Sequence, residues 1–112
     1  MSVSLGLHKG KQFDCYRSQF ITAIPVSFQN VWNEVWVKAI SECNILKFVD
    51  CKDFAVNEIP AVSAELDAIY NWAHLDGGKD TNYIQERIKE LKEYLNKFYL
   101  EHKNEDYWFD LG

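Results

Sequence analysis

Residues 13–24 read FDCYRSQFITAI, and whether they form a helix or a strand decides the fold class. Phe13, Tyr16, Phe20, Ile21 and Ile24 recur at three- and four-residue steps, a helical stripe, whereas the β-branched ITAI end also suits a strand. Alternation does not resolve cleanly. One set is Phe13, Cys15, Arg17, Gln19, Ile21 and Ala23; the other mixes Asp14, Ser18 and Thr22 with aromatics. The helical stripe fits better, and with it the chain reads as all-α, a compact single-domain helical bundle spanning residues 1–112. With a strand here the class becomes α+β, carrying one short N-terminal strand or hairpin.

The next stretch, Ser27 to Cys43 (SFQNVWNEVWVKAISEC), is the strongest helix signature. Phe28, Val31, Trp32, Val35, Trp36, Ala39, Ile40 and Cys43 fall on one stripe, and Val37 breaks it, suggesting a second contact. Pro25 disfavours helix at Ile24, and Ser27 supplies an oxygen for the orphan amides of a helix start. Before the deciding stretch, Met1 to Lys11 has two glycines and no sustained period, the pattern of a loose lead-in. After the helix, Asn44 to Asn57 has poor periodicity and reads as a loop with a short turn around Asp50 to Phe54, anchored by Phe48 and Phe54.

Pro60 suits the first turn of a second helix, whose stripe is Val62, Leu66, Ile69 and Ala73, with Tyr70 and Trp72 on its shoulders. Ser63, Asp67, Asn71 and His74 face outward, and Gly77 and Gly78 end it. Asp80 or Thr81 caps a last helix running to about Lys103, with Ile84, Ile88, Leu91, Leu95 and Phe98 inward. Residues 60–103 thus form a helical hairpin. The tail, Asn104 to Gly112 (NEDYWFDLG), either docks on the core or is held out for a partner.

Aromatics at 15% with only two prolines and five glycines suit a packed globule. Net charge is −5 and uneven: residues 1–40 carry four bases against two acids, and residues 41–112 eight bases against fifteen acids. Such a surface disfavours phosphate backbones and attracts a cationic partner. Cys15, Cys43 and Cys51 are odd in number and form no CxxC pair, which fits a reducing compartment. With no membrane-spanning run and no signal-peptide pattern, the expected location is cytoplasmic.

Catalytic equipment is not recognisable. His8, His74 and His102 belong to no ligand pair, the Asp76–Arg87 turn lacks the acid a calcium loop needs at its twelfth position, and there is no P-loop and no GxSxG. Neither a metal nor a cofactor is expected, and an enzyme is not. What stands out is an acidic strip from Glu42 to Asp76 (Glu42, Asp50, Asp53, Glu58, Glu65, Asp67, Asp76) against Lys47 and Lys52, with aromatics interleaved. Acids around aromatic anchors suit recognition of a basic protein, since charge speeds encounter and desolvated rings give tightness. The alternative reading makes the rings core and the acids a solvating exterior.

In size, acidity and aromatic content the whole chain resembles the bacterial immunity proteins that neutralise cationic nuclease toxins, including those of contact-dependent growth inhibition. The resemblance is one of character, with no shared motif. It implies a cognate basic toxin domain, an RNase or DNase, bound so that its active site is covered or distorted, without direct contact to nucleic acid or membrane. The helical projection of this sequence puts Asp50, Asp53, Asp67, Asn71 and Asp76 toward that partner, with Tyr70 and Tyr107 as anchors. The other expectation is a small helical adaptor or regulatory subunit assembling through an aromatic face such as Tyr107 to Phe109.

Overall fold

The structure, a computed structural model, describes residues 2–12, 14, 16–49, 52–76 and 78–112, with the backbone alone for residues 76 and 79. Four strands, β1 (Ser2–Lys9), β2 (Gln19–Phe28), β3 (Asp53–Ala55) and β4 (Tyr107–Leu111), form one antiparallel sheet in the order β2-β1-β4-β3. The class is therefore α+β, and the all-α bundle expected from the sequence is overturned. Even the α+β alternative was too modest, because the sheet uses both ends of the chain and not one N-terminal hairpin.

The overturned segments share a cause. In β1, Val3, Leu5 and Leu7 are buried, while Ser4, Gly6 and His8 take the opposite face. This period of two stands in the sequence, but in eight residues with two small polar partners it looks like a loose lead-in. β2 takes in the second half of the stretch, residues 13–24, for which a helix was expected. It lies at the sheet edge, where one face and one edge stay wet, so strict alternation is not enforced. Bulges between Leu7/His8 and Val3/Ser4 break the period twice more. Pro25 sits inside β2 and not ahead of a helix, since an edge strand tolerates a residue with no amide. Ser27 Oγ donates to the Phe28 carbonyl and caps nothing. Phe13 and Cys15 lie outside the described residues.

β4 is the docked tail. It pairs with β1 from Leu5↔Leu111 to Lys9↔Tyr107 and with β3 at Phe54↔Phe109. Backbone bonds from Ser4 N to Gly112 O (3.1 Å) and from Gly112 N to Ser4 O (3.0 Å) extend the ladder. This pairing joins residues about a hundred positions apart, which no local pattern encodes.

The strongest helix signature holds with narrower bounds. After β2 the chain is helical as α1 (Gln29–Val31), a π-helical stretch Trp32–Trp36 and α2 (Val37–Glu42). The Val37 amide reaches the Trp32 carbonyl, and the wider turn brings side chains four apart nearer to alignment. Trp32 and Trp36 accordingly stack at 5.6 Å and 19°, with Phe48 against both. Phe28, expected on this stripe, is exposed as the last residue of β2, and Val37, for which a second contact was expected, is exposed instead. Asn44 ends the turn after α2 at φ 55°, a conformation asparagine tolerates.

α3 (Ile59–Asp76) and α4 (Thr81–His102) form the expected hairpin. Val62, Leu66, Ile69 and Ala73 face Ile84, Ile88, Leu91 and Leu95 in the core. Between them Gly78 takes φ +59°, and Thr81 Oγ1 donates to the carbonyls of Ala73 and Gly78, both at 2.9 Å. The core is shared by these helices and the inward side of the sheet, from Val3 to Leu111. All of the helices lie on that side. Among the described residues the opposite sheet face carries no helix, and the connection between β1 and β2 reaches one end of it, where Trp108 Nε1 donates to Ser18 Oγ at 2.9 Å.

Candidate functional site

Folding engages much of the acidic strip. Glu65 accepts the amides of Leu46, Lys47 and Phe48 at 2.9–3.1 Å, tying the loop after α2 to α3. Glu58 accepts from the Ala55 amide (3.0 Å) and from Lys47 Nζ (2.6 Å). Partial burial opposes ionisation of Glu58, but the Lys47 hydrogen bond, the Ala55 amide and the Lys47 charge together outweigh it and hold its carboxyl below the usual range. The same contact raises Lys47. Asp67 pairs with Lys92, and Lys52 Nζ donates to the Leu46 carbonyl.

The residues assigned to the partner are not gathered in one place. Asp67 and Tyr70 line a cleft of about 380 Å³ between α3 and α4, together with Lys89, Lys92 and Glu93, and Asn71 is exposed on the next turn of α3. Tyr107 lines a different groove of about 570 Å³ with Lys11, Glu58, Lys103 and Glu105, and packs edge-on against Phe98 at 5.0 Å. Asp53 is on the sheet. Asp50 lies outside the described residues, and of Asp76 only the backbone, the end of α3, is described. Trp108 and Phe109 are buried, so the tail offers no free aromatic face.

The sheet face without helices brings together residues that no sequence window contains. The registers define two rows across it: Phe20, His8, Trp108 and Ala55 in one, Ala23, Gly6, Asp110 and Asp53 in the next. In the first row His8 stacks on Trp108 at 4.0 Å and 10°, with Phe20 edge-on at 5.5 Å. In the second, the Asp110 carboxylate folds back over Gly6, with Oδ1 3.0 Å from His8 Nε2. Only glycine permits this, because a Cβ on residue 6 would lie 2.3 Å from Asp110 Oδ1. Asp53 stands directly opposite Asp110 on the neighbouring strand and takes a neutral partner, Gln12 Nε2, at 2.6 Å.

Two carboxylates facing each other across an antiparallel pair oppose folding by roughly 0.2–1 kcal/mol. Both are well exposed, the Asp110 side chain at 54%, and Phe20, across His8 on the same face, is 58% exposed. Chemically the face can present paired negative charge at one side and an open ring at the other. Among the described residues it does not assemble a nucleophile: Ser18 Oγ is engaged by Trp108 and by the Asp14 carbonyl, and Ser4, four residues along β1 from His8, is about 13 Å away. Burial, then Glu42, pushes the Cys43 thiol up, away from a reactive thiolate. Among the described residues no group of three or more His, Cys, Asp or Glu is placed to hold a metal ion, and no helix is long and apolar enough to cross a membrane.

His8, Phe20 and Asp110 are what sequence reasoning missed. The available signal was the alternation of β1 and of Tyr107–Leu111, which puts His8 and Asp110 each on a non-core face. Nothing in the sequence says that those faces adjoin. Compared with protein-family models, curated proteins and solved structures, the chain matches none.

Proposed function

We propose that this chain is a non-catalytic, cytoplasmic binding protein of the bacterial immunity type, which neutralises a cognate basic nuclease toxin by covering it. The observation that carries the reading is the cross-strand pair Asp53 and Asp110, on a face without helices that also carries the open Phe20 ring on its far strand. Like charges set side by side at a cost to folding are accounted for by a cation they receive, such as a lysine or arginine of the partner. The acids stand where the nuclease expects phosphates, and the sheet holds them in place.

This reading keeps Asp53 from the sequence-based set and adds Asp110. Asp67 contributes less because Lys92 already neutralises it. An adaptor working through the Tyr107–Phe109 tail has less support, since two of those three rings are buried.

The test is the association rate with the toxin domain of the adjacent reading frame, measured at low and high salt. Asp53→Asn with Asp110→Asn is expected to slow association about tenfold at low salt and much less at high salt, because screening removes the contribution of exposed charge. Unchanged rates at low salt, or a neighbouring frame without a toxin-like domain, would contradict the reading.

A further inference from the structure

We infer that the chain self-associates weakly through the open half of β2, two copies pairing Gln19–Ile24 antiparallel about a two-fold axis. As the outermost strand, β2 has a free edge, and its two halves differ. From Pro25 onward the edge is closed. Pro25 has no amide to offer, Arg87 donates to the carbonyls of Pro25 and Val26, and the Phe28 amide donates to the Tyr83 hydroxyl at 3.2 Å. From Gln19 to Ile24 no such cover exists among the described residues, and Gln19 to Ala23 are exposed. A bare edge presents amides and carbonyls that another strand satisfies in register. The opposite edge is blunted, since β3 has three residues and begins with an acid.

The occupant follows from charge and symmetry. Ser18 to Asn33 contains no charged residue in a chain of net charge −5. This edge therefore has nothing to draw a basic segment, whereas a second copy brings the same uncharged strand and no like-charge contact. With the axis between Ile21 and Thr22, Gln19 meets Ile24 of the second copy, Phe20 meets Ala23 and Ile21 meets Thr22. The faces agree: Phe20 and Ala23 share the helix-free side with His8 and Gly6, and Thr22 and Ile24 share the core side with Leu7 and Leu5. Pairing stops where Pro25 would meet Ser18. Six residues from each copy is far below the roughly 20–30 residues a side of a standard interface, so a dissociation constant on the order of 100 μM is expected. The bulge at Ile21 adds twist and keeps the pairing short. Edge pairing leaves Asp53 and Asp110 uncovered, so this inference does not rest on the proposed function.

Sedimentation velocity of the full chain tests it, over about 10 μM to about 1 mM to span the expected affinity. The weight-average mass is expected to climb from one chain toward two, with little dependence on salt. Ile21→Lys is expected to stay monomeric with an unchanged circular dichroism spectrum. Ala23→Glu serves the same purpose should that variant fail to fold. Leu75→Ser, at an exposed apolar residue on α3, is expected to associate like the parent. A monomer throughout the range, association undiminished by both edge variants, or association abolished by Leu75→Ser would overturn the proposal.

Discussion

Glu65 shows how far a single side chain can depart from its sequence-level reading. As one acid in an acidic run it is surface charge; in the fold its two oxygens take three consecutive amides from the loop after α2 and hold Phe48 against Trp32 and Trp36. Charged acceptors make hydrogen bonds worth more than neutral ones, and removing this one leaves three donors short of a partner. Glu65→Ala is expected to lower unfolding free energy by about 2–3 kcal/mol, read by urea denaturation, a large part of an ordinary domain's total stability. Loss of less than about 0.5 kcal/mol, the range of an ordinary surface substitution, would mean that the carboxylate is a bystander. Gly6 is a second such residue. Its value lies in the missing Cβ that lets Asp110 reach His8, and a glycine read from sequence alone passes for looseness.

Among the elements, those organised by a local period were legible and those organised by distant partners were not. The stripes of α3 and α4 repeat over three or more turns, and their core positions are buried as the spacing demands, save Phe98 near the end of α4, which is half-buried. β1 and β4 have the right alternation but take their identity from pairing with each other. β2 has neither a clean period nor two neighbours, and so imitates a helix. The stretch between α2 and α3 was read correctly for its anchors, Phe48 and Phe54, and missed β3 because three residues carry no period. That stretch is also clamped by Lys47 and Glu58, which fixes a pH response. The carboxyl is held below its usual value near 4.5, so its contribution is present above that value and lost as pH falls through the lowered one. The ammonium is raised above 10.5, so its contribution is present below that value and lost only as pH rises through the raised one. The stability difference between the parent and Glu58→Gln is therefore expected to be flat near neutrality and to shrink as pH drops below about 4.5. A difference that grows on acidification would contradict the clamp.

At the scale of the molecule, the helices lie on one side of the sheet, leaving two distinct surfaces. The helical surface carries mixed charge that is paired in part, as at Asp67 with Lys92 and Arg87 with Glu90. The open sheet surface carries Asp53, Asp110 and Phe20 with less compensation. The candidate site was half legible for this reason: composition pointed to acids and rings, but which acids remain available depends on ion pairs and strand order that only the fold creates. The most direct test of the account is a map of amide chemical-shift changes in the labelled protein on titration with the proposed cognate toxin domain. The expected changes concentrate on Gly6, His8, Phe20, Asp53 and Asp110; changes concentrated on Asp67, Tyr70 and Asn71 of α3, with the sheet unperturbed, would contradict it.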